Sequence, residues 1–113
     1  HDLSEGGLAV AAAEMAFAGN LGAALHLDSL AAVGQVDHPA VLLFSESATR
    51  FLVEIPPEAT VEFEQVIADM PLARIGTTTA DSRLTIEAPS GQTVIDADLE
   101  TLKQCWLEPL NWE

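Results

Sequence analysis

The sequence predicts a single α+β domain over residues 1–113, with a mixed or antiparallel sheet packed by helices. Three observations carry this expectation. Helix-patterned and strand-patterned segments alternate irregularly, unlike the regular repeat of a doubly wound fold. Arg83 to Asp96 reads as a β-hairpin closed by Pro89-Ser90-Gly91. The chain has 113 residues, 49% of them hydrophobic, which suits one core rather than two and is too apolar for intrinsic disorder.

Taken in order, Ser4 is the expected N-cap of an Ala-rich helix from Leu8 to Ala18, with Glu5 in its first turn at the positive end of the dipole. Gly19-Asn20 and Gly22 end it. Only Glu14 is charged between Leu8 and Gly19, so this helix is expected to be covered on two sides, partly by another domain or subunit. Ala23–Leu27 reads as a short strand with His26 at its rim, Asp28–Gly34 as a single helical turn, and Gln35–His38 as a polar loop. Pro39 opens a short helix reaching Ser45. Arg50–Ile55 alternates as a strand, Phe51, Val53 and Ile55 on one face, until Pro56-Pro57 stops it. A helix is expected from Glu58 to Asp69, its inward stripe being Phe63, Val66, Ile67 and Met70. Leu72–Thr78 is a further strand. In the hairpin, Leu84 and Ile86 point inward from the first arm, and Gln92–Asp96 is the second. Asp98 caps a last helix from Leu99 to about Glu108, with Leu99, Leu102 and Trp106 inward. Trp106 and Trp112 are both expected to pack rather than to stack on a ligand.

Composition bounds the function. The formal net charge is −14, with only four Lys and Arg residues, which excludes nucleic-acid binding by charge attraction. One phosphate remains compatible with such a surface, because helix-terminal N–H groups can hold it. No segment approaches the ~18 apolar residues of a membrane span, so no membrane association is expected. Cys105 is the single cysteine, so it has no intrachain disulfide partner. It reads as a partly buried thiol of a cytoplasmic protein. With no Cys/His cluster, no metal site is expected. The chain opens at His1, without Met and directly in a motif-like stretch, as a domain of a longer polypeptide would.

Two segments could carry chemistry. The first is His1-Asp2-Leu3-Ser4-Glu5-Gly6-Gly7-Leu8. Two glycines at a helix mouth expose backbone donors that, with the dipole and the Ser4 hydroxyl, make an anion pocket. The same glycines could serve only close packing. His1 and Asp2 could be an acid/base pair or metal ligands, but adjacent residues on an extended segment point apart, which favours an ordering role. The second segment, Leu43-Phe44-Ser45-Glu46-Ser47-Ala48-Thr49-Arg50, places hydroxyls, a carboxylate and a rare cation before a strand. Its alternative is an Arg50–Glu46 surface ion pair.

HDLSEGGLAVAAAEMAFAG at His1–Gly19, joined to LFSESATRFLVEIPPE at Leu43–Glu58, resembles the C-terminal domain of the small-type synthetase subunit of phosphoribosylformylglycinamidine synthase. The wider group is the aminoimidazole ribonucleotide synthetase-like superfamily. The resemblance covers nearly the whole chain. Glu5 stands where the family usually has Asp, and Leu107 to Glu113 match least well.

The resemblance implies a fold like the aminoimidazole ribonucleotide synthetase C-terminal domain. It also implies a reaction in purine biosynthesis: formylglycinamide ribonucleotide, ATP and glutamine-derived ammonia give formylglycinamidine ribonucleotide, ADP and phosphate. In this family the ATP and Mg²⁺ ligands and the catalytic histidine lie in N-terminal domains. It therefore implies no catalytic residue here and no activity for this segment alone. Ser4, Glu5, Gly6 and Gly7 would hold the substrate phosphate, and His1, Asp2, Ser45, Glu46 and Arg50 would support the cleft. The partners implied are the N-terminal domains of the same synthetase, the glutaminase subunit and a small accessory subunit. The alternatives are a non-catalytic interface or self-association module, and another ATP-dependent member of the superfamily.

Overall fold

The computed structural model describes residues 1–111. Its elements are α1 (Gly7–Gly19), β1 (Gly22–His26), α2 (Asp28–Gly34), α3 (Pro39–Phe44), a 3₁₀ turn (Pro57–Ala59), α4 (Thr60–Val66), β2 (Gly76–Thr79), β3 (Arg83–Glu87), β4 (Thr93–Asp98), α5 (Leu99–Leu107) and a closing 3₁₀ turn (Glu108–Leu110). Trp112, expected to pack, lies outside the described residues.

The four strands form one mixed sheet in the order β2-β1-β3-β4. β1 runs parallel to β3 and antiparallel to β2, while β3 and β4 form the expected hairpin. Gly91 takes φ +86 at the turn, a conformation that glycine adopts without a Cβ clash. The α+β expectation therefore holds. Leu84 and Ile86, the inward pair of β3, are 1% and 0% exposed. They meet the Leu8, Ala9, Ala11, Ala12 and Ala16 side of α1, with Leu25, Leu27, Leu42, Leu43 and Leu99 completing the core. Alanines let α1 lie close to the sheet, and α3 and α5 flank it. Asp98 caps α5 as expected, its carboxylate accepting from the Thr101 N–H at 3.0 Å.

Within this domain every residue of α1 from Gly7 to Phe17 is buried or half-buried. The structure corrects several expectations. Asp28–Gly34 is a seven-residue helix rather than a single turn. Arg50–Ile55 is not a strand of the sheet, making a single bridge, Asp2 to Phe51. That pairing sets the parity. Leu52 turns toward the core, while Phe51 and Val53 stay 69% and 50% exposed. The expected helix from Glu58 to Asp69 is a 3₁₀ turn followed by seven residues of α-helix. Its stripe finds no core: Phe63 and Ile67 are half-buried, and Val66 and Met70 are exposed. The Leu72–Thr78 strand shortens to Gly76–Thr79. Trp106 is 51% exposed, its ring 5.8 Å from that of Phe17, and Cys105 is exposed rather than partly buried.

Candidate functional site

The Ser4–Gly7 turn sits where α1 begins, held from two directions. Residues 1–3 pair with residues 50–52. The backbone N–H of Leu3 donates to the Arg50 carbonyl (3.1 Å) and that of Leu52 to the His1 carbonyl (2.8 Å). The His1 backbone nitrogen donates to the Leu52 carbonyl (2.9 Å). From the other side, the Gly6 N–H donates to the Glu46 carboxylate at 2.8 Å, joining two segments 40 residues apart. The two motifs of the sequence thus meet at one helix mouth.

Local geometry shows what each residue does there. Gly6 (φ +81) and Gly7 (φ +69) both occupy the left-handed region. A Cβ on Gly7 would lie 2.7 Å from the Leu43 carbonyl oxygen and 2.9 Å from the Phe44 Cα, so Gly7 lets α1 approach α3. A Cβ on Gly6 would overlap Val10 Cγ2 and lie 2.7 Å from Val10 Cβ, one turn along α1. Ser4 is not the N-cap: that position is Gly6, and no side chain caps the helix. The Ser4 hydroxyl instead donates to the Asp2 carboxylate at 2.5 Å. Glu5 precedes the helix and is not in its first turn. No side chain caps the first-turn N–H groups of Gly7, Leu8 and Ala9, and all three residues are buried.

The second segment is a loop. Ser45 and Ser47 hydroxyls lie 2.9 Å apart. Thr49 takes φ +61, a strained conformation for a β-branched residue. Arg50 is half-buried and donates to the Ser45 carbonyl at 3.3 Å. Among the described residues there is no Arg50–Glu46 ion pair, because Glu46 is turned to Gly6.

The structure adds Glu14, which sequence reasoning left outside the site. Its carboxylate lies 3.0 Å from His1 Nε2, while His1 Nδ1 lies 2.6 Å from the Asp2 carbonyl and 3.7 Å from its carboxylate. These contacts, the Glu14 hydrogen bond foremost and then the Asp2 carbonyl, hold His1 above the ordinary histidine pKa. The signal was present, since Glu14 is the one charge on an otherwise apolar helix. Beyond Glu14 runs an open apolar groove of about 260 Å³ lined by Val10, Ala13, Phe17, Phe44, Leu102 and Trp106. Elsewhere, His26 pairs at the rim of β1 with Glu87 (2.8 Å), and His38 accepts the Ala40 N–H at the start of α3. Among the described residues no three His, Cys, Asp or Glu side chains gather as a metal site.

Residues 1–89 match the family described as AIR synthase related protein, C-terminal domain, and the chain belongs to that family. Its relatives narrow the resemblance. The phosphoribosylformylglycinamidine synthase subunit PurL of Deinococcus radiodurans is 40% identical over 110 residues, which cover 97% of this chain and 14% of that protein. The subunit of Synechococcus elongatus is 43% identical over 110 residues, covering 94% and 14%. The chain therefore spans about one seventh of the length of these relatives. A solved structure, T. maritima PurL complexed with ATP, shares the fold over 90% of this chain and 18% of that one, with a TM-score of 0.73 at 23% identity. The resemblance drawn from the two joined motifs is borne out. No helix among the described residues is long and apolar enough to cross a membrane.

Proposed function

We propose that this chain acts as one domain of a longer, cytoplasmic ATP-dependent ligase that converts formylglycinamide ribonucleotide, ATP and glutamine-derived ammonia to formylglycinamidine ribonucleotide. The observation that carries this reading is the alignment of 97% of the chain with synthase subunits. In it, the helix mouth of α1 receives the ribonucleotide phosphate. The uncapped N–H groups of the first turn are the donors, the Ser4 hydroxyl is bonded to Asp2 and shapes the turn, and Glu46 holds Gly6 in place from the facing loop. His1, Asp2, Ser45 and Arg50 brace that mouth through the 1–3/50–52 pairing and the 45–50 loop. This chain's part is to bind and orient, which lowers the barrier by holding the substrate in place. ATP and Mg²⁺ would supply phosphoryl transfer to the amide oxygen. As the family resemblance implies, the ligands for both are assigned to other domains of the polypeptide.

The reading is tested by titrating the full-length enzyme with the ribonucleotide, wild type against Ser4→Ala and Gly6→Val, with assembly checked alongside. Loss of affinity of about tenfold or more in a normally assembled protein supports the phosphate site. Unchanged affinity in both variants moves the phosphate elsewhere and leaves this mouth to packing.

A second reading has its own observation. Val41, Phe44, Phe51, Val53, Val61, Val66, Met70 and Leu72 are all exposed. Exposed apolar side chains of this kind fit contacts with the N-terminal domains of the same polypeptide, ahead of the glutaminase subunit, the accessory subunit or a second copy.

A further inference from the structure

We propose that Glu14 is a positioning residue for the phosphate loop: its carboxylate captures the His1 ring as an imidazolium, and that ring clasps the strap of residues 1–4 to α1. This deepens the phosphate-site reading and rests on it.

The hydrogen-bond chemistry of the ring carries the inference. Nε2 faces the Glu14 carboxylate at 3.0 Å, and Nδ1 faces the Asp2 carbonyl at 2.6 Å. Both partners are acceptors. A neutral imidazole carries one N–H and can satisfy only one of them, whereas an imidazolium satisfies both. The surroundings favour the cation. Asp2 Oδ1 stands 3.7 Å away on the strap, and Glu14 is on α1. Of the other charged groups near the mouth, Glu46 is held by the Gly6 N–H and Arg50 by the Ser45 carbonyl, so neither contacts the ring. The raised affinity of His1 for its proton agrees with this arrangement.

The clasp reaches the site through few steps. His1 and Leu52 exchange backbone hydrogen bonds, Ser4 is bonded to the Asp2 carboxylate, and Gly6 follows two residues on. Glu14 sits about two turns into α1, so it references the strap to the helix whose N-terminus would hold the phosphate. When the ring gives its proton to solvent, one of its two contacts is lost and the strap is fixed from one side only. Substrate binding then weakens as pH rises through the His1 titration.

The test uses the full-length polypeptide, with Glu14→Gln, Glu14→Asp and His1→Gln. The His1 ring is titrated by NMR, and affinity for formylglycinamide ribonucleotide is measured from about pH 6 to about pH 9. The ionisation of the substrate phosphate is common to all variants and cancels in the comparison. In the wild type, His1 titrates above the ordinary value and affinity falls about fivefold across that titration. In Glu14→Gln the titration moves down and affinity loses its His1-dependent limb; Glu14→Asp restores part of both. A His1 titration unchanged by Glu14→Gln, or superimposable affinity profiles, overturns the clasp. A shifted His1 titration with affinity indifferent to Ser4→Ala and to His1→Gln overturns the phosphate site on which the positioning role rests, leaving a clasp that only braces the strap.

Discussion

Gly7 gives the most exacting check on the geometry of the helix mouth. Replacing it with Ala adds one carbon in two unfavourable ways. The backbone stands at φ +69, where an L-residue costs about 1–2 kcal/mol. The new Cβ would also sit 2.7 Å from the Leu43 carbonyl oxygen, 2.8 Å from the Phe44 carbonyl carbon and 2.9 Å from its Cα. These are backbone atoms of α3, whose Leu42 and Leu43 are 5% and 4% exposed, so α3 cannot retreat without opening the core. Overpacking of this kind adds about 1–3 kcal/mol, for a total near 4 kcal/mol. Gly6→Ala has the same left-handed backbone at φ +81, and its Cβ would overlap Val10 Cγ2 and lie 2.7 Å from Val10 Cβ, which is fixed to α1, so a loss of about 2–4 kcal/mol is expected there as well. Urea denaturation of the chain, read by far-UV circular dichroism, measures both. A Gly7→Ala loss below about 1 kcal/mol would refute the close α1–α3 approach.

Three further outcomes follow from the same coordinates. Ile86→Ala, at a fully buried site in β3 flanked by β1 and β4, should cost about 3–4 kcal/mol in urea denaturation. Asp98→Ala removes the N-cap of α5 and should cost about 1 kcal/mol, with Asp98→Asn recovering most of it. His1 has a folded-state pKa raised above its unfolded value, chiefly by Glu14. Its contribution to stability is therefore fully present below about pH 6.5 and is lost as pH rises through the folded value. The stability difference between wild type and His1→Gln should shrink over that window, and urea midpoints at several pH values will show it.

Where a segment's partners were close in sequence, the fold was legible. The hairpin, its Pro89-Ser90-Gly91 turn, the Asp98 cap and the inward pair Leu84/Ile86 all depend on local chemistry and period-two alternation, and all stand as expected. The misplaced elements were those whose environment is set from afar. Phe51 and Val53 alternate like any half-buried strand, yet pairing with residues 1–3 decides which face turns inward, and it chose Leu52. The stripe Phe63, Val66, Ile67 and Met70 has helical spacing, but periodicity shows which residues share a face and not what covers them. At the site, Gly6-Gly7 announced a special backbone, and both glycines adopt one. The capping role given to Ser4 failed because the chain takes a left-handed turn at Gly6 that carries Ser4 back to Asp2. The Glu46–Gly6 contact, between residues 40 apart, leaves no local trace in the sequence.

The exposed apolar residues of the middle segment lead to a last prediction. Among the described residues, eight of the thirteen exposed large hydrophobics fall between Val41 and Leu72, and α4 between them buries none of its residues. The molecule measures 50 × 31 × 27 Å with a radius of gyration of 14.5 Å, against about 13 Å for a compact chain of this length. A surface this apolar is costly to leave in water, and scattered chance exposure would not concentrate in one quarter of the chain. Val66, 78% exposed, separates the two explanations. If the segment is a free surface, Val66→Ser changes stability by less than about 0.5 kcal/mol, both in the 113-residue chain and in the full-length polypeptide. If other domains cover it, the same substitution is silent in the short chain but costs about 1–2 kcal/mol in the long one, where burying a hydroxyl replaces burying two methyls. Differential scanning calorimetry of the two pairs of proteins measures this directly. A cost that appears only in the longer protein places the middle segment at an interdomain contact, whereas equal, negligible costs in both would leave it free.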